Sequence, residues 1–189
     1  MLNKLPKPIG DFILNGMEPD DRIKLLEGVP EDLQQSILDA LSPEERKITK
    51  QLLSYKEDSV GRLMTPYFVS IRENKTVRSA LDQIRWSDFI PTEYLSQIYV
   101  IDDDGELVGY LELAKIVLAD PRTIKIRNLM DNLDVVLNPE QDESDAVEAF
   151  RRYDCNYIPV VDGKNHMIGL VTSDDVFDVA EEDVIEDIQ

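Results

Sequence analysis

Apolar positions in the first third of the chain recur at helical spacing, in short blocks cut by proline and glycine. Ile23, Leu25 and Leu26 form one block, which Gly28, Val29 and Pro30 end. Leu33, Ile37, Leu38 and Leu41 form the next. Ser42, Pro43, Glu44 and Glu45 then predict a helix start, with Ser42 as N-cap, Pro43 in the first turn and Glu45 closing a capping box. The helix that follows runs through Ile48, Leu52 and Leu53. Short helices joined by proline turns read as helical hairpins. One or two of them bury little area, so they are expected to pack on the rest of the chain or on a partner.

From about Val60 the pattern changes and the chain repeats itself. Leu63-Met64 recurs as Leu129-Met130, Val69 as Val135, Ala80 as Ala146 and Arg85 as Arg151, all at an offset of 66. Further on, Ile101-Asp102 recurs as Val161-Asp162 and Gly109 as Gly169, at an offset of 60. The first copy therefore carries about six extra residues, placed between Trp86 and Ser96. Each copy predicts a short strand (68–71 or 135–137), an amphipathic helix (77–85 or 145–153), and two strands joined by an acidic turn. Those strands are 97–101 and 108–111 in one copy, 157–161 and 168–171 in the other. The turns carry Gly105 and Gly163, where glycine is expected to accept positive φ. A closing helix, 113–118 or residue 174 onward, completes a βαββα unit.

The last helix changes the picture. Val176, Phe177, Ala180, Val184 and Ile188 keep an apolar spacing, yet residues 172–189 hold eight carboxylates and no Lys, Arg or His. Asp175, Asp178, Glu182 and Glu186 stack negative charge along one side, and each such pair costs roughly 0.2–0.5 kcal/mol in an isolated helix. A divalent cation is the sharpest candidate for neutralising it, and a solvated acidic face is the plain alternative. The net charge of −19 excludes a phosphate-binding face for nucleic acid and equally an anionic-lipid surface. The excess is uneven, because residues 124–189 hold 17 acids against 5 bases. One cysteine, Cys155, excludes an internal disulfide, and one histidine, His166, excludes a zinc cluster or a histidine-based triad. The sequence offers no visible catalytic machinery, so an enzyme is not expected. No stretch is long and apolar enough for a membrane span, and a reducing cytosolic location is the default.

The element order, with the phrases RLMTPYFVSI and NYIPVVDGKNHMIGLVTSDDV, resembles a tandem pair of cystathionine-β-synthase (CBS) domains over roughly residues 58–180. Helical hairpins ending in SYKEDSVGRLMT, two such units, and an acidic helix ending in EEDVIEDIQ resemble the cytosolic part of MgtE-type magnesium transporters. The resemblance implies an α+β chain: a short helical domain (1–57), CBS domain 1 (58–122), CBS domain 2 (123–180) and the start of a connecting helix (181–189). It also implies a homodimer formed through the CBS domains. The connecting helix would lead to a transmembrane pore domain that this chain lacks, at the inner face of the plasma membrane.

Mg²⁺ prefers carboxylate and water ligands and gives up its waters reluctantly, so acidic surfaces can be bridged without a close-fitting cage. Asp142, Asp154, Asp175, Asp178, Asp183, Glu186 and Asp187 match positions that the family uses for regulatory Mg²⁺. Thr172 and Asp175 have two further readings. In many CBS domains this spacing holds the ribose of a nucleotide such as ATP or AMP. Alternatively, Thr172 or Ser173 caps the final helix. The first copy has Glu112 and Lys115 at the matching places, without the hydroxyl or the acid, and the family's nucleotide site draws on that acid. Cys155 and His166 are read as packing and turn residues, Asp102, Asp103 and Asp104 as turn residues, and Trp86 as packing against its helix. The expected function is a cytosolic Mg²⁺ sensor that gates a magnesium transporter. A CBS-pair sensor of adenine nucleotides is the alternative.

Overall fold

In the computed structural model, which describes residues 7–87, 90–177 and 179, helices come first and a duplicated α/β module follows. The helical region comprises α1 (Lys7–Gly16), α2 (Pro19–Glu27), α3 (Glu31–Ala40) and α4 (Pro43–Leu53). Ser42 caps α4 as expected, its Oγ accepting from the Glu45 amide at 3.2 Å. The reciprocal half of the box does not form. Glu45 turns inward and accepts from Arg22 Nη1 at 2.6 Å and from the Tyr67 hydroxyl at 2.8 Å. Arg22 is fully buried and also donates to the carbonyls of Leu14 and Met17 and to Thr49. One guanidinium thus ties together α1, α2 and α4.

The first copy contains α5 (Val60–Leu63), β1 (Ser70–Arg72), α6 (Val77–Arg85), β2 (Gln97–Ile101), β3 (Leu107–Glu112) and α7 (Leu113–Leu118). β1 runs parallel to β2, and β2 antiparallel to β3. The second copy has α8 (Glu143–Arg152), β4 (Tyr157–Val161) and β5 (Met167–Thr172), the two strands antiparallel. The strand expected at 135–137 shrinks to a single parallel bridge between Leu137 and Val160. Helical backbone resumes at residues 173–177.

The hairpin turns correct one expectation. Gly105 has φ +90°, but in the second copy Asn165 takes the positive φ (62°), not Gly163. Asn165 sits 60 residues after Gly105, so the repeat conserves the backbone shape while changing the residue that adopts it. Asparagine tolerates the left-handed region better than other side chains do. Asp102 and Asp162 serve these turns, each accepting two backbone N–H bonds at 2.8–2.9 Å. Trp86 does not pack against its helix: it is 81% exposed.

The two copies exchange their lead-in segments. Thr65 pairs with Leu170 through two backbone bonds of 2.8 and 2.9 Å, and Asp131 pairs with Tyr110 at 2.8 and 3.1 Å. Each lead-in therefore lies on the hairpin of the other copy. Glycine permits the approach, since a Cβ on Gly169 would stand 2.8 Å from the Thr65 carbonyl oxygen and one on Gly109 2.6 Å from that of Asp131. The helical region packs on the second copy: Ile23 and Leu52 share one core with Val60, Met64, Ile158 and Val171.

Candidate functional site

Where the helical region meets the second copy, a cleft of about 540 Å³ opens. Glu18, Asp20 and Asp21 come from the start of α2. Pro19 sets that start, and acids in the first turn suit the positive end of the helix dipole. Glu93 and Tyr94 come from the extra segment of the first copy, where Thr92–Leu95 makes a 3-10 turn. Thr172, Ser173, Asp174 and Asp175 come from the end of β5 and the helix beyond it. Among the described residues six carboxylates line the cleft, and no Lys, Arg or His does.

Asp20 is the most constrained of them. Its residue is 4% exposed and its Oδ1 has no hydrogen-bond partner. Burial, then the charges of Asp175 and Asp21, push its carboxyl up to about 7, against smaller opposing pulls from the Asp21 backbone N–H and then Lys24. Asp175 is raised as well, first by burial and also by Glu18, with the Thr172 hydroxyl opposing. Thr172 Oγ1 donates to Asp175 Oδ2 at 2.8 Å and accepts the Asp175 amide at 3.4 Å, so it caps the helix and orients the acid. A buried carboxylate with a bare oxygen, set against a second raised carboxylate, is a site short of positive charge.

The acids named from sequence do not all meet here. Asp142 caps α8, its Oδ1 accepting from the Ser144 amide at 3.1 Å and the Ser144 hydroxyl at 2.7 Å, and those bonds hold its carboxyl below the usual range. Asp154 lines a different cleft, of about 1050 Å³, between the two copies. Asp178, Asp183, Glu186 and Asp187 lie outside the described residues. Glu18, Asp20, Asp21, Glu93 and Asp174 escaped the sequence reading. Asp20 and Asp21 after Pro19 gave a helix-start signal, but nothing local tied them to residue 175. No three His, Cys, Asp or Glu among the described residues converge tightly enough to hold a metal ion directly. Open carboxylate spacing instead suits an ion that keeps its waters.

The two clefts offer a nucleotide different surfaces. In the acidic cleft Thr172 and Asp175 satisfy each other and face further carboxylates. In the larger cleft Glu112 occupies the hydroxyl position, and Lys115, in the acid position, is ion-paired with Asp131. Glu112, Asp134 and Asp154 there outnumber Arg152, which lies 5.8 Å over the Tyr153 ring.

Comparison with known proteins agrees with this architecture. The MgtE intracellular N domain family matches residues 1–58, and the CBS domain family matches residues 60–121 and 126–182. A magnesium transporter MgtE from Thermus thermophilus is 37% identical over 82% of this chain, and one from Bacillus subtilis 33% identical over all of it. The chain spans 34% and 42% of the lengths of those relatives. A crystal structure of the cytosolic domain of the Mg²⁺ channel MgtE in complex with ATP superposes with a TM-score of 0.84 at 36% identity, covering 94% of this chain and 72% of that one. The soluble part of a magnesium transporter gives the same TM-score at 31% identity, covering 96% and 70%. Among the described residues no helix is long and apolar enough to cross a membrane. With its helical part and both repeats matched in order, the chain belongs to the MgtE family and corresponds to that family's cytosolic region.

Proposed function

We propose that this chain senses Mg²⁺ on the cytosolic side of the membrane and passes the result to a transmembrane pore domain. The observation that carries the reading is the buried Asp20 carboxylate, with one oxygen unpartnered, facing Asp175 across the boundary between the helical region and the second CBS copy. Without a cation the six carboxylates repel and favour separation of the two parts. With hydrated Mg²⁺ between them, the compact arrangement is stabilised. A ligand shifts such an equilibrium only through its preference for one state, and carboxylates that converge only on compaction supply that preference. Compaction would act on residues 181–189, whose sequence reads as a connecting helix and carries Asp183, Glu186 and Asp187 after Asp178, and would hold the pore closed. Asp154, at the larger cleft, and Asp142, at the start of α8, would add sites away from this cleft. The chain works as a homodimer through its CBS copies, a reading that the exposed apolar side chains of Val117, Leu118 and Phe177 support.

The test is a Mg²⁺ titration followed by thermal stability and protease resistance. Millimolar Mg²⁺ is expected to raise both, and Asp175→Asn to blunt the response. An unchanged response in that variant would move the ion elsewhere. A second reading, an adenine-nucleotide sensor, draws on the Thr172–Asp175 spacing and on the related MgtE domain solved with ATP. A rise in melting temperature with ATP or AMP, and none with Mg²⁺, would put that reading first.

A further inference from the structure

The duplication supplies an internal control for the acidic cleft. At the offset of 60, Asn156 and Thr172 in the acidic cleft correspond to Ser96 and Glu112 in the larger one, so the two clefts are counterparts. Among their described lining residues, only the acidic one includes the helical region. The first copy's extra segment makes that difference. Its Tyr94 is 4% exposed, and its hydroxyl donates to Glu18 Oε2 at 2.7 Å, a bond joining the insertion to the start of α2. The Tyr157 hydroxyl donates to the Glu93 carbonyl at 3.2 Å and fixes the same turn to β4. The Tyr67 ring lies 6.2 Å from that of Tyr94, while its own hydroxyl goes to Glu45, outside the cleft. At the other cleft, α8 passes to β4 through Tyr153–Asn156 alone, and no insertion reaches across.

We propose that Tyr94 is a positioning residue of the cation cleft: its hydroxyl holds the Glu18 carboxylate in the cleft that Asp20 and Asp175 also line, and the insertion completes the site from the first copy. The inference rests on the reading of this cleft as the Mg²⁺ site. A donor that fixes a carboxylate beside a cation lowers the cost of organising it when the ion arrives.

Tyr94→Phe removes the hydroxyl and keeps the ring. In the full 189-residue chain, MgCl₂ titrations read by protease resistance report the midpoint of compaction. The midpoint is expected to rise roughly tenfold, and the melting temperature measured in chelator to fall modestly, since the lost bond also ties the insertion to α2. Tyr67→Phe, which loses a bond of the same kind outside the cleft, is expected to lower that melting temperature and leave the midpoint in place. Adding Tyr94→Phe to Glu18→Gln is expected to give no further shift, since both remove one interaction. A wild-type midpoint in Tyr94→Phe, or additive shifts in the double variant, overturns the proposal while leaving the sensor reading intact. A flat wild-type titration overturns the sensor reading itself, and this proposal with it.

Discussion

Asp20 shows how much a single buried carboxyl can set. Its pKa of about 7 in the folded chain stands above the ordinary 3.8, chiefly through burial and then through Asp175 and Asp21. Between about pH 4 and 7 the folded chain therefore holds a proton that the unfolded chain has released. Stability from this group is complete at the acidic end and is lost as pH rises through about 7, by at most about 4 kcal/mol. Asp175, raised in the same direction, adds to the slope. Melting temperatures in chelator are thus expected to fall from pH 5 to pH 8, apart from any other titration, and Asp20→Asn to flatten that fall. A variant with the wild-type slope would place the titration elsewhere. Mg²⁺ is expected to matter most at the alkaline end, where the cleft is fully charged. None of this was legible at residue 20 itself. Asp20 and Asp175 are far apart in sequence, and no local periodicity relates them. Asp175 was legible because the final helix concentrates acids without bases. Asp142 carries a second role that its position also made readable, because a carboxylate before Glu143 and Ser144 serves as a helix cap.

At the scale of elements, the helices and hairpins of the repeat followed from pattern alone. The helix at 77–85, the strands at 97–101 and 157–161 and the closing helix at 113–118 stand where periodicity put them. Glu45 is where pattern failed. Its spacing from Ser42 is that of a capping box, but Arg22 offers a buried guanidinium, and a charge-assisted bond outweighs closure of the box. α1 was not anticipated from sequence; Pro8 falls in its first turn, where the missing N–H costs nothing. The Arg22 hub makes a direct prediction. Arg22→Met leaves Glu45 without its cation and frees the carbonyls of Leu14 and Met17, at a cost of about 3 kcal/mol. Urea denaturation followed by circular dichroism is expected to show that loss, with early proteolysis in the helical region. A loss below 1 kcal/mol would mean that the helices dock through apolar contact alone.

For the whole molecule, the exchanged lead-ins decide how it unfolds. Because Thr65 is laced to Leu170 and Asp131 to Tyr110, neither copy is complete by itself. The two copies are expected to melt in one calorimetric transition, and Gly169→Ala to lower it by about 1–3 kcal/mol, since the added methyl meets the Thr65 carbonyl and Met64 Sδ at 2.8 Å. Two resolved transitions in the wild-type chain would contradict the interlocking. Sequence revealed the repeat but not the exchange, because the Leu-Met motifs mark where each copy begins and carry no sign of which hairpin they will meet.

The crossing has a hereditary consequence. Gly109 belongs to the first repeat, yet a side chain there presses on Asp131, the partner of Lys115. Gly169 belongs to the second, yet it presses on Thr65, whose hydroxyl oxygen accepts the Tyr67 amide beside Tyr94. A lesion inherited in one repeat is thus felt through a segment encoded by the other. After the ancestral duplication each half became the other's scaffold, so neither can drift, be deleted or be exchanged without its twin.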